Sequence, residues 1–463
     1  MKRDYVKVSM AEKYGVSRHH LSQTLKTFFL ENMGCSRKVY NLYVEYLYDE
    51  LEKTGYEKGD EIPEISFPNV TEFKNRKGFE YLKKADSIAL SNARMAFIDA
   101  WERFQKATNH DSYTKRAVRR NASGTEPLSF RGLKGMPKFH AKSRGHFSYK
   151  TNCQYPNGKN PTVRLTGNML HIPKAPKKIP LILHRPLPED AVIKSVTVSM
   201  DTDGQFYVSI TYEYRIAIDT TLQDAVMSGD ETMLKDLHFL GLDYSQQHFY
   251  VDSEGRIANY PHYYRKMEEK LARKHRKLSR MEQGSKNYTR QKKKVARLHR
   301  KVRNQRKDFI NKEVFWLVNA YDVICVEDID LRAMSQCLSL GKNLMDNGFG
   351  MFRTKLSQKL EKKGSVLVKI DRWYPSSKTC SCCGSVNDEV QLGVSEWTCP
   401  ECRAHHDRDV NGAINIMQEG RRIFPEYFRD RIEKAVRDEQ RREKARQARL
   451  AKRWNKETDS TAA

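Results

Sequence analysis

Two Cys-x-x-Cys pairs near the carboxyl end constrain the fold of this chain more than any other feature. Cys380 and Cys383 form the first pair, and Cys399 and Cys402 form the second after an interval of 15 residues. Four thiolates at this spacing are typical of a small ribbon that folds around a tetrahedral zinc ion. We therefore expect structural zinc on these four cysteines, with Cys382 as a bystander. A redox role is the alternative for the same residues.

An excess of basic residues indicates a polyanionic partner. The 463 residues include 84 Lys and Arg against 58 Asp and Glu, which gives a net charge of +26. Nucleic acid is the favoured polyanion. An anionic membrane is the weaker option, because no run approaches the roughly 18 apolar residues of a spanning helix and the first residues lack the apolar core of a signal peptide. We expect a cytoplasmic protein.

Much of this basic excess lies in one segment. Residues 265–307 carry 19 Lys and Arg against three acidic residues. Gly284 and Ser285 divide the segment, and a thin series of apolar residues on each side predicts a helical hairpin. We expect this hairpin to bind a nucleic-acid backbone, and a merely solvated pair of helices is the alternative.

Changes in hydrophobic period divide the chain into regions. Up to about residue 125, apolar residues recur at helical spacing, as Leu90, Phe97 and Trp101 do behind a predicted cap at Asp86. From about 160 to 235, apolar and polar residues alternate, which predicts an antiparallel barrel or sandwich. Beyond residue 238, apolar runs and helical segments succeed one another as in an α/β domain. A chain of this length has room for two to four domains.

Two acidic residues fall where an α/β domain places its chemistry. Asp243 lies inside the first predicted strand of this region, where an unpaired charge is costly. Glu327 directly follows the apolar run 323–326, at the carboxyl end of a predicted central strand. Open α/β sheets carry their active sites at these ends. The position of the two acids therefore suggests a functional role.

A third acid opens the last predicted helix. Asp409 shares a helical face with Ile416 and should face the sheet that the helix covers, whereas Asp407 lies about 200° away and should act as the N-cap. Asp243, Glu327 and Asp409 are therefore the candidate catalytic residues. Together they could bind two Mg²⁺ ions for in-line hydrolysis of a phosphodiester. For each acid alone, a cap or an ion pair is the alternative.

The motifs around these acids and cysteines resemble the split RuvC-like nuclease of the TnpB family. The resembling blocks are Gly241-Leu242-Asp243, Val326-Glu327-Asp328, Tyr374-Pro375-Ser376-Ser377-Lys378-Thr379-Cys380-Ser381-Cys382-Cys383-Gly384 and His406-Asp407-Arg408-Asp409-Val410-Asn411-Gly412-Ala413-Ile414-Asn415-Ile416. Residues 85–93, 135–139 and 195–214 also resemble this family, but less closely. TnpB proteins are RNA-guided DNA endonucleases carried by insertion sequences, and they are similar to the compact type V CRISPR effectors.

The resemblance implies a multidomain α/β protein plus a β-barrel. It implies an RNase H-like RuvC nuclease domain with an inserted zinc ribbon, and an N-terminal wedge-type β-barrel with a helical recognition lobe. The implied ranges are 1–16 and 126–235 for the barrel, 17–125 for the lobe, 236–376 and 404–422 for the nuclease, 377–403 for the ribbon and 423–463 for a basic C-terminal tail.

The resemblance also implies the cofactors and partners. Asp243, Glu327 and Asp409 would bind the two Mg²⁺ ions, and the four paired cysteines would bind zinc. The partners would be a guide RNA, either transposon-derived or a CRISPR RNA, and double-stranded target DNA with a short adjacent motif. One protein chain per guide RNA is expected, in the cytoplasm of a prokaryote at the nucleoid.

The expected function is thus that of an RNA-guided, Mg²⁺-dependent DNA endonuclease. One alternative is an RNA-guided DNA-binding repressor without nuclease activity, which the complete set of three acids disfavours. The other is an RuvC-like transposase or resolvase that acts without RNA, because the cutting chemistry alone would permit it.

Overall fold

The protein consists of two compact units, Met1–Ile216 and Ala217–Ala463. The computed structural model describes residues 5–107, 112–141, 147–155, 160–217, 221–245, 247–337, 346–391 and 393–459. Each unit combines helices with a sheet, so the expected multidomain, mixed α/β architecture is confirmed. Within the described ranges, no helix is both long and apolar enough to cross a bilayer.

Four α-helices belong to the first unit. They are α1 (Gln23–Lys53), α2 (Val70–Asn75), α3 (Ser87–Gln105) and α4 (Lys115–Ala122). The predicted cap of α3 is confirmed, since an Asp86 carboxylate oxygen accepts a hydrogen bond from the Ile88 backbone N–H at 2.9 Å. Tyr43 of α1 stacks on Phe97 of α3, and both side chains are fully buried. The apolar faces predicted from helical spacing therefore pack against each other.

The sheet of the first unit has seven strands. They are β1 (Tyr5–Val16), β2 (Phe147–Asn152), β3 (Arg164–Thr166), β4 (Met169–His171), β5 (Ile179–Ile182), β6 (Val192–Met200) and β7 (Phe206–Ala217). The strand order is β2-β6-β7-β1-β5-β4-β3. Val198 of β6 pairs with Val208 of antiparallel β7, and both are fully buried. The alternating apolar residues thus form one inner face, as predicted for this hairpin.

Residues 221–235 differ from the β structure expected as far as residue 235. They form α5 (Thr221–Ser228) and α6 (Glu231–Lys235). Leu222 and Val226 are buried in a core of the second unit. The physical reason is the spacing of the buried Leu222, Ala225 and Val226, because positions i, i+3 and i+4 share one face of a helix, whereas a half-buried strand buries every second residue.

The second unit is built on a five-stranded mixed sheet. Its strands are β8 (Phe239–Tyr244), β9 (Tyr250–Asp252), β10 (Ile257–Ala258), β11 (Val323–Glu327) and β12 (Leu367–Ile370), in the order β10-β9-β8-β11-β12. β11 is parallel to both β8 and β12, so the carboxyl ends of these three strands lie at one edge. β9 is antiparallel to β8.

In the described ranges of the second unit, further α-helices follow β10. They are α7 (Tyr263–Ser279), α8 (Lys286–Ala320), α9 (Leu331–Cys337), α10 (Phe349–Lys362) and α11 (Arg408–Asp459). A two-stranded sheet of β13 (Glu396–Thr398) and β14 (His405–Asp407) precedes α11. The predicted break at Gly284 and Ser285 is confirmed, since the Ser285 side chain caps α8 by accepting a hydrogen bond from the Tyr288 N–H.

Helices cover both faces of the central strand β11. Ile324 and Val326 pack in one core with α8 and α10, whereas Val323 and Cys325 pack in another core with α5 and α11. All four side chains are almost fully buried. The uninterrupted apolar run of this strand is explained by its two covered faces.

The last helix joins two segments that were each predicted to be helical. The helix expected around residues 410–417 and the charged tail predicted from residue 423 form one continuous element, α11. Phe424 and Phe428, which lie within the predicted tail, are buried in the core beneath β11. Apolar packing of these two rings continues the helix past Pro425, although proline removes one backbone hydrogen bond.

Glycines allow α11 to lie directly on the sheet. A Cβ atom added to Gly241 of β8 would overlap the carbonyl oxygen of Ala413, and one added to Gly420 of α11 would overlap the thiol of Cys325. Neither glycine has a positive φ angle, so the requirement at both positions is for space. Helix and strand backbones are thus in close contact at two points.

We predict that Gly420→Ala destabilises the second unit. The new methyl group must displace Cys325 in a packed core, which should lower the free energy of unfolding by about 1–3 kcal/mol. The matched control is Gly34→Ala in α1, where a Cβ atom would meet nothing within 4 Å and should stabilise the helix. Scanning calorimetry of both variants is the measurement. An unchanged unfolding transition in Gly420→Ala would contradict the packing described.

Candidate nuclease and metal sites

Asp243 and Glu327 lie side by side at the carboxyl edge of the sheet. Leu242 of β8 pairs with Val326 of β11 in parallel register, so the two acids are the next residues on adjacent strands. Side chains alternate along a strand, and Leu242 and Val326 both belong to the core beneath α8. Asp243 and Glu327 therefore occupy the opposite face of the sheet, which α11 covers.

Asp409 lies in the first turn of α11, on the helix that covers this face. A Cβ atom added to Gly412 of α11 would lie 3.2 Å from Asp243 Oδ2, so the first turn sits against the Asp243 carboxylate. Burial raises the pKa of Asp243 well above its ordinary value, and the charges of Glu327 and Asp409 raise it further. The structure thus brings all three predicted acids within electrostatic reach at one place.

Ser376 orients Glu327. Its hydroxyl donates a hydrogen bond to Glu327 Oε1 at 2.5 Å. Burial raises the pKa of Glu327, and the hydrogen bond from Ser376 opposes that rise. The Asn415 side chain of α11 in turn donates to the Ser376 carbonyl oxygen at 2.8 Å. Sequence reasoning included Ser376 in a motif but gave it no role, because its partner is 49 residues away in the chain.

Arg408 holds the third acid. Its guanidinium donates to Asp409 Oδ1 from Nη2 at 3.0 Å and from Nε at 3.3 Å. Asp243, Glu327 and Asp409 are not among the groups of described residues whose ligand atoms all lie within 4.8 Å of one another. The three carboxylates are therefore neighbours without forming a closed cage. Sequence reasoning gave no role to this arginine.

The assignment of Asp407 as the N-cap is confirmed. Its Oδ1 atom accepts hydrogen bonds from the backbone N–H groups of Asp409 and Val410, both at 2.9 Å. These groups have no partner inside the helix, so the cap stabilises the first turn. The turn that carries Asp409 is thereby fixed at its start.

An open cleft of about 900 Å³ adjoins two of the acids. Its lining includes Asp243 and Asp409, together with Tyr244, Ser245, Gln247, Met334, Ser377, Lys378, Asp388, Val390, Gln391, Gly393, Val394, Ser395, Asp407 and Arg408. Lys378 pairs with Asp388 across 3.2 Å. The cleft therefore presents carboxylates beside basic groups, an arrangement that can receive a cation and a phosphate together.

The four paired cysteines converge as expected. The thiols of Cys380, Cys383, Cys399 and Cys402 all lie within 4.8 Å of one another. Cys380 is 3.6 Å from Cys402, and Cys383 is 3.7 Å from Cys399, between Sγ atoms. A tetrahedral site with Zn–S bonds of about 2.3 Å requires sulfur atoms about 3.8 Å apart. The cluster can hold a zinc ion.

The surroundings favour a thiolate at two of the four cysteines. The backbone N–H of Cys402 and the Ser385 hydroxyl lower the pKa of the Cys399 thiol to about 6, and the Ser385 hydroxyl also lowers the pKa of Cys383. Burial raises the pKa of Cys380. Deprotonated sulfur is the form that binds metal, so Cys399 and Cys383 are the ligands that are ready for a cation, and a bound cation would favour the thiolate at the others.

His406 and Cys382 lie beside this cluster. His406 Nε2 is 3.1 Å from Cys380 Sγ, and these two residues with Cys382 form a second, three-membered group of possible metal ligands. Cys382 is exposed and does not belong to the four-cysteine group. Its expected role as a bystander stays a prediction.

Two buried asparagines tie the cysteine region to the acids. The Asn411 side chain of α11 accepts from the Ser381 N–H at 3.0 Å and donates to the Thr379 carbonyl at 2.8 Å. Asn415 donates to the same carbonyl at 2.6 Å. Both asparagines are 1% exposed, so these bonds are shielded from water. The first two turns of α11 thus connect the candidate zinc site with the candidate acid site.

The basic hairpin of α7 and α8 has a narrow apolar contact. Within the basic segment 265–307, the buried apolar residues are Leu271, Val295 and Val302, and Gln291 crosses between the helices to donate to the Lys274 carbonyl at 3.0 Å. Most Lys and Arg side chains of the hairpin are exposed. Nucleic-acid binding by this surface stays a prediction.

Two family models match the second unit. One, described as Probable transposase (OrfB_IS605), covers residues 216–338. The other, described as Cas12f1-like, TNB domain, covers residues 349–416. The two ranges include the strands that carry Asp243 and Glu327, the four cysteines, and the first turn of α11 with Asp409.

Relatives extend the similarity to most of the chain. A protein of Streptomyces pristinaespiralis that carries the name RNA-guided DNA endonuclease is 29% identical over 393 residues, which is 84% of each chain. The CRISPR-associated DNA-binding protein Cas12m of Pelobacter propionicus is 32% identical over 127 residues, 25% of this chain and 18% of its own. The cryo-EM structure of a Cas12f1–sgRNA–target DNA complex aligns at 14% identity and a TM-score of 0.46, over 89% of this chain and 99% of that chain.

Both family models agree with the TnpB resemblance of the sequence blocks around Asp243, Glu327 and Asp409. The relatives named as an RNA-guided DNA endonuclease and as Cas12m agree with it too. The second unit of the chain is therefore similar to TnpB-like proteins and to the Cas12 proteins of CRISPR systems.

Proposed function

We propose that this protein is an RNA-guided DNA endonuclease that hydrolyses phosphodiesters of its target DNA at Asp243, Glu327 and Asp409. The observation that carries the proposal is the convergence of these acids, from three distant segments, at one edge of the sheet beside an open cleft. The charges of Glu327 and Asp409 raise the pKa of Asp243, and a bound divalent cation would relieve that repulsion.

The donor set fits magnesium. Carboxylate oxygens are the protein ligands that Mg²⁺ prefers, and when bound the ions would activate a water and stabilise the leaving oxygen. Asp243 and Glu327 would hold the metal from adjacent strands, with Ser376 fixing the Glu327 oxygen. Asp409 would be the third carboxylate ligand, and to bind the metal it would give up its ion pair with Arg408. The freed guanidinium would then lie at the cleft, where it could bind a phosphate.

The remaining assignments follow from the resemblance. We assign an RNase H-like RuvC domain to residues 236–376 and 404–422, a zinc ribbon to 377–403 and a basic tail to 423–463. The seven-stranded sheet would be the wedge-type barrel, and the helices of 17–125 the recognition lobe. The basic hairpin would bind the nucleic-acid backbone. A guide RNA would select the target by base pairing, while the protein reads a short adjacent motif.

A second candidate function is guided DNA binding without cleavage. Two observations favour it: Cas12m carries the name of a DNA-binding protein, and Asp409 is engaged by Arg408. The complete acid set favours cleavage, since a protein that only binds DNA does not need three converging carboxylates. An RNA-independent transposase is the third candidate, in keeping with the description of one matching family model.

We predict that Asp243→Ala abolishes cleavage and preserves binding of RNA and DNA. Because even the hydrogen-bond partners of a metal ligand contribute about 10- to 100-fold, loss of the ligand itself should slow cleavage by more than about 100-fold. The protein would be expressed with its native flanking DNA, its co-purified RNA sequenced, and a plasmid matching that RNA used as substrate with Mg²⁺.

The control for this test is Asp388→Ala, which removes an exposed acid from the same cleft and should leave cleavage largely intact. Undiminished cutting by Asp243→Ala would overturn the proposal. Binding without cutting by the unmodified protein would favour the guided repressor. Cutting that survives removal of all RNA would favour the transposase.

We predict that Ser376→Ala shifts the pH dependence of cleavage. Glu327 must be ionised to bind Mg²⁺, and loss of the hydrogen bond leaves burial unopposed, so the pKa of Glu327 rises further. The acid limb of the pH–rate profile should therefore move to higher pH, with activity near neutral pH falling by about 10- to 100-fold. Ser377→Ala, which alters a neighbouring cleft residue, is the control. Identical profiles for both variants would remove Ser376 from this role.

We predict that Cys383→Ser lowers zinc content and stability, whereas Cys382→Ser changes neither. A four-thiolate site derives folding free energy from its metal, so loss of one ligand should release zinc and lower the unfolding temperature. The measurements are zinc per chain by elemental analysis and thermal unfolding. Zinc loss in Cys382→Ser instead would move the metal to the group that includes His406.

A further inference from the structure

Trp373 is the most exposed large apolar side chain in the described part of the protein. It is 83% exposed and lies in the loop that follows β12, at the carboxyl edge of the sheet. The next residue, Tyr374, packs against the core beneath β11. The loop is therefore anchored on its inner side while it presents an indole ring to solvent.

The loop that carries Trp373 is held rigidly. The Trp373 backbone N–H donates to Asp371 Oδ1 at 2.7 Å, and the Ser376 N–H donates to the Tyr374 carbonyl at 2.8 Å. Ser376 is itself bound to Glu327 and to Asn415 of α11. An aromatic ring on a fixed support loses little conformational entropy when a ligand stacks on it.

This loop places Trp373 close to the candidate acids. Trp373 lies three positions before Ser376, and because consecutive Cα atoms are about 3.8 Å apart, the two Cα atoms cannot be more than about 11 Å apart. Ser376 contacts Glu327 directly. Since bases stack at about 3.4 Å per step, the indole lies within a few nucleotides of any phosphodiester held at the acids.

The charges around Trp373 favour a polyanion over an apolar partner. Arg372 precedes it and Lys369 is near, and both pair with Asp328, at 3.6 Å and 3.0 Å. Within the loop itself, residues 371–378, the two basic groups Arg372 and Lys378 outnumber the one acid, Asp371. An exposed aromatic ring beside basic side chains is the combination that binds single-stranded nucleic acid, because every unpaired base offers a face for stacking.

We propose that Trp373 is a binding residue that stacks on an unpaired base of the DNA strand presented to the acids. The proposal rests on the endonuclease function proposed above and identifies its substrate at the site as single-stranded DNA. A base paired inside a duplex does not expose its face, so the ring selects a strand that has already been separated from its complement. Trp373 would thereby help to fix which phosphodiester reaches Glu327.

The test uses the full-length protein and a short single-stranded DNA that carries 2-aminopurine at one of several positions. Binding is measured by fluorescence anisotropy and stacking by quenching of the 2-aminopurine, in buffer without added magnesium so that the DNA stays intact. Measurements at low and high salt separate the two contributions, since phosphate contacts weaken with salt.

Trp373→Ala should weaken binding by about 5- to 150-fold and abolish quenching at the positions where the unmodified protein produces it. Trp373→Phe, which keeps an aromatic face, should retain most of both signals. Phe315→Ala is the matched control, because Phe315 lies beyond the basic segment 265–307 that is proposed to bind the backbone and its removal deletes another exposed aromatic ring, 72% exposed. It should bind like the unmodified protein.

Unchanged binding and quenching in Trp373→Ala would overturn the inference. Loss of self-association or of protein contacts on size-exclusion chromatography, with DNA binding unchanged, would overturn it too and assign the ring to a protein interface.

Failure of the role of Trp373 is distinguishable from failure of the proposed endonuclease function. If Asp243→Ala still cleaves, the endonuclease assignment fails, whereas if Asp243→Ala is inactive but Trp373→Ala binds and cuts normally, only the role of Trp373 fails.

Discussion

The close contact between α11 and the sheet is the constraint on which the second unit depends. Gly241 and Gly420 leave no room for a side chain between the helix and strands β8 and β11, and Gly412 brings the first turn against Asp243. A bulkier residue at any of these positions would lift the helix and carry Asp409 away from the other two acids. The glycines thus determine the distance between Asp409 and Asp243, which are more than 160 positions apart in the chain.

The acid cluster and the cysteine cluster share one electrostatic principle. Each collects groups that are stable as anions only when a cation or a hydrogen-bond donor is present. At the cysteines, backbone N–H groups and Ser385 lower the pKa of Cys399. At the acids, Ser376 and Arg408 provide partial compensation, and burial still raises the pKa of Asp243. Asn411 and Asn415 connect the two clusters through neutral hydrogen bonds that add no further charge.

Local patterns were sufficient to predict where the candidate site residues lie. A charge inside an apolar strand drew attention to Asp243, the end of a buried run to Glu327, and ligand spacing to the cysteines, and the structure brings each set together. Their roles in cleavage and metal binding stay predictions. Ser376 was missed as a partner because its hydrogen bond to Glu327, 49 positions away, leaves no periodic signal. Arg408 was missed because the contact of its side chain with the adjacent Asp409 depends on side-chain conformation, which no sequence pattern specifies.

The differences in secondary structure have a similar origin. Residues 221–235 were expected to be β, but Leu222 and Val226 find their partners beneath β11. Tertiary burial decided the conformation there, as it can for short segments of weak propensity. The same holds for α11, which continues past Pro425 because Phe424 and Phe428 are both covered by the core. Charge density alone had suggested that the core ends earlier.

Pro425 also has a mechanical consequence. A proline inside a helix cannot donate to the carbonyl four residues earlier, so the ladder of α11 lacks one bond within the part that Phe424 and Phe428 anchor in the core. Because Phe428 holds the helix to the core beyond this missing bond, bending forces on the charged outer part should be absorbed before they reach the turn that carries Asp409. Contacts made by the outer part of α11 should therefore leave the positions of Asp243, Glu327 and Asp409 unchanged.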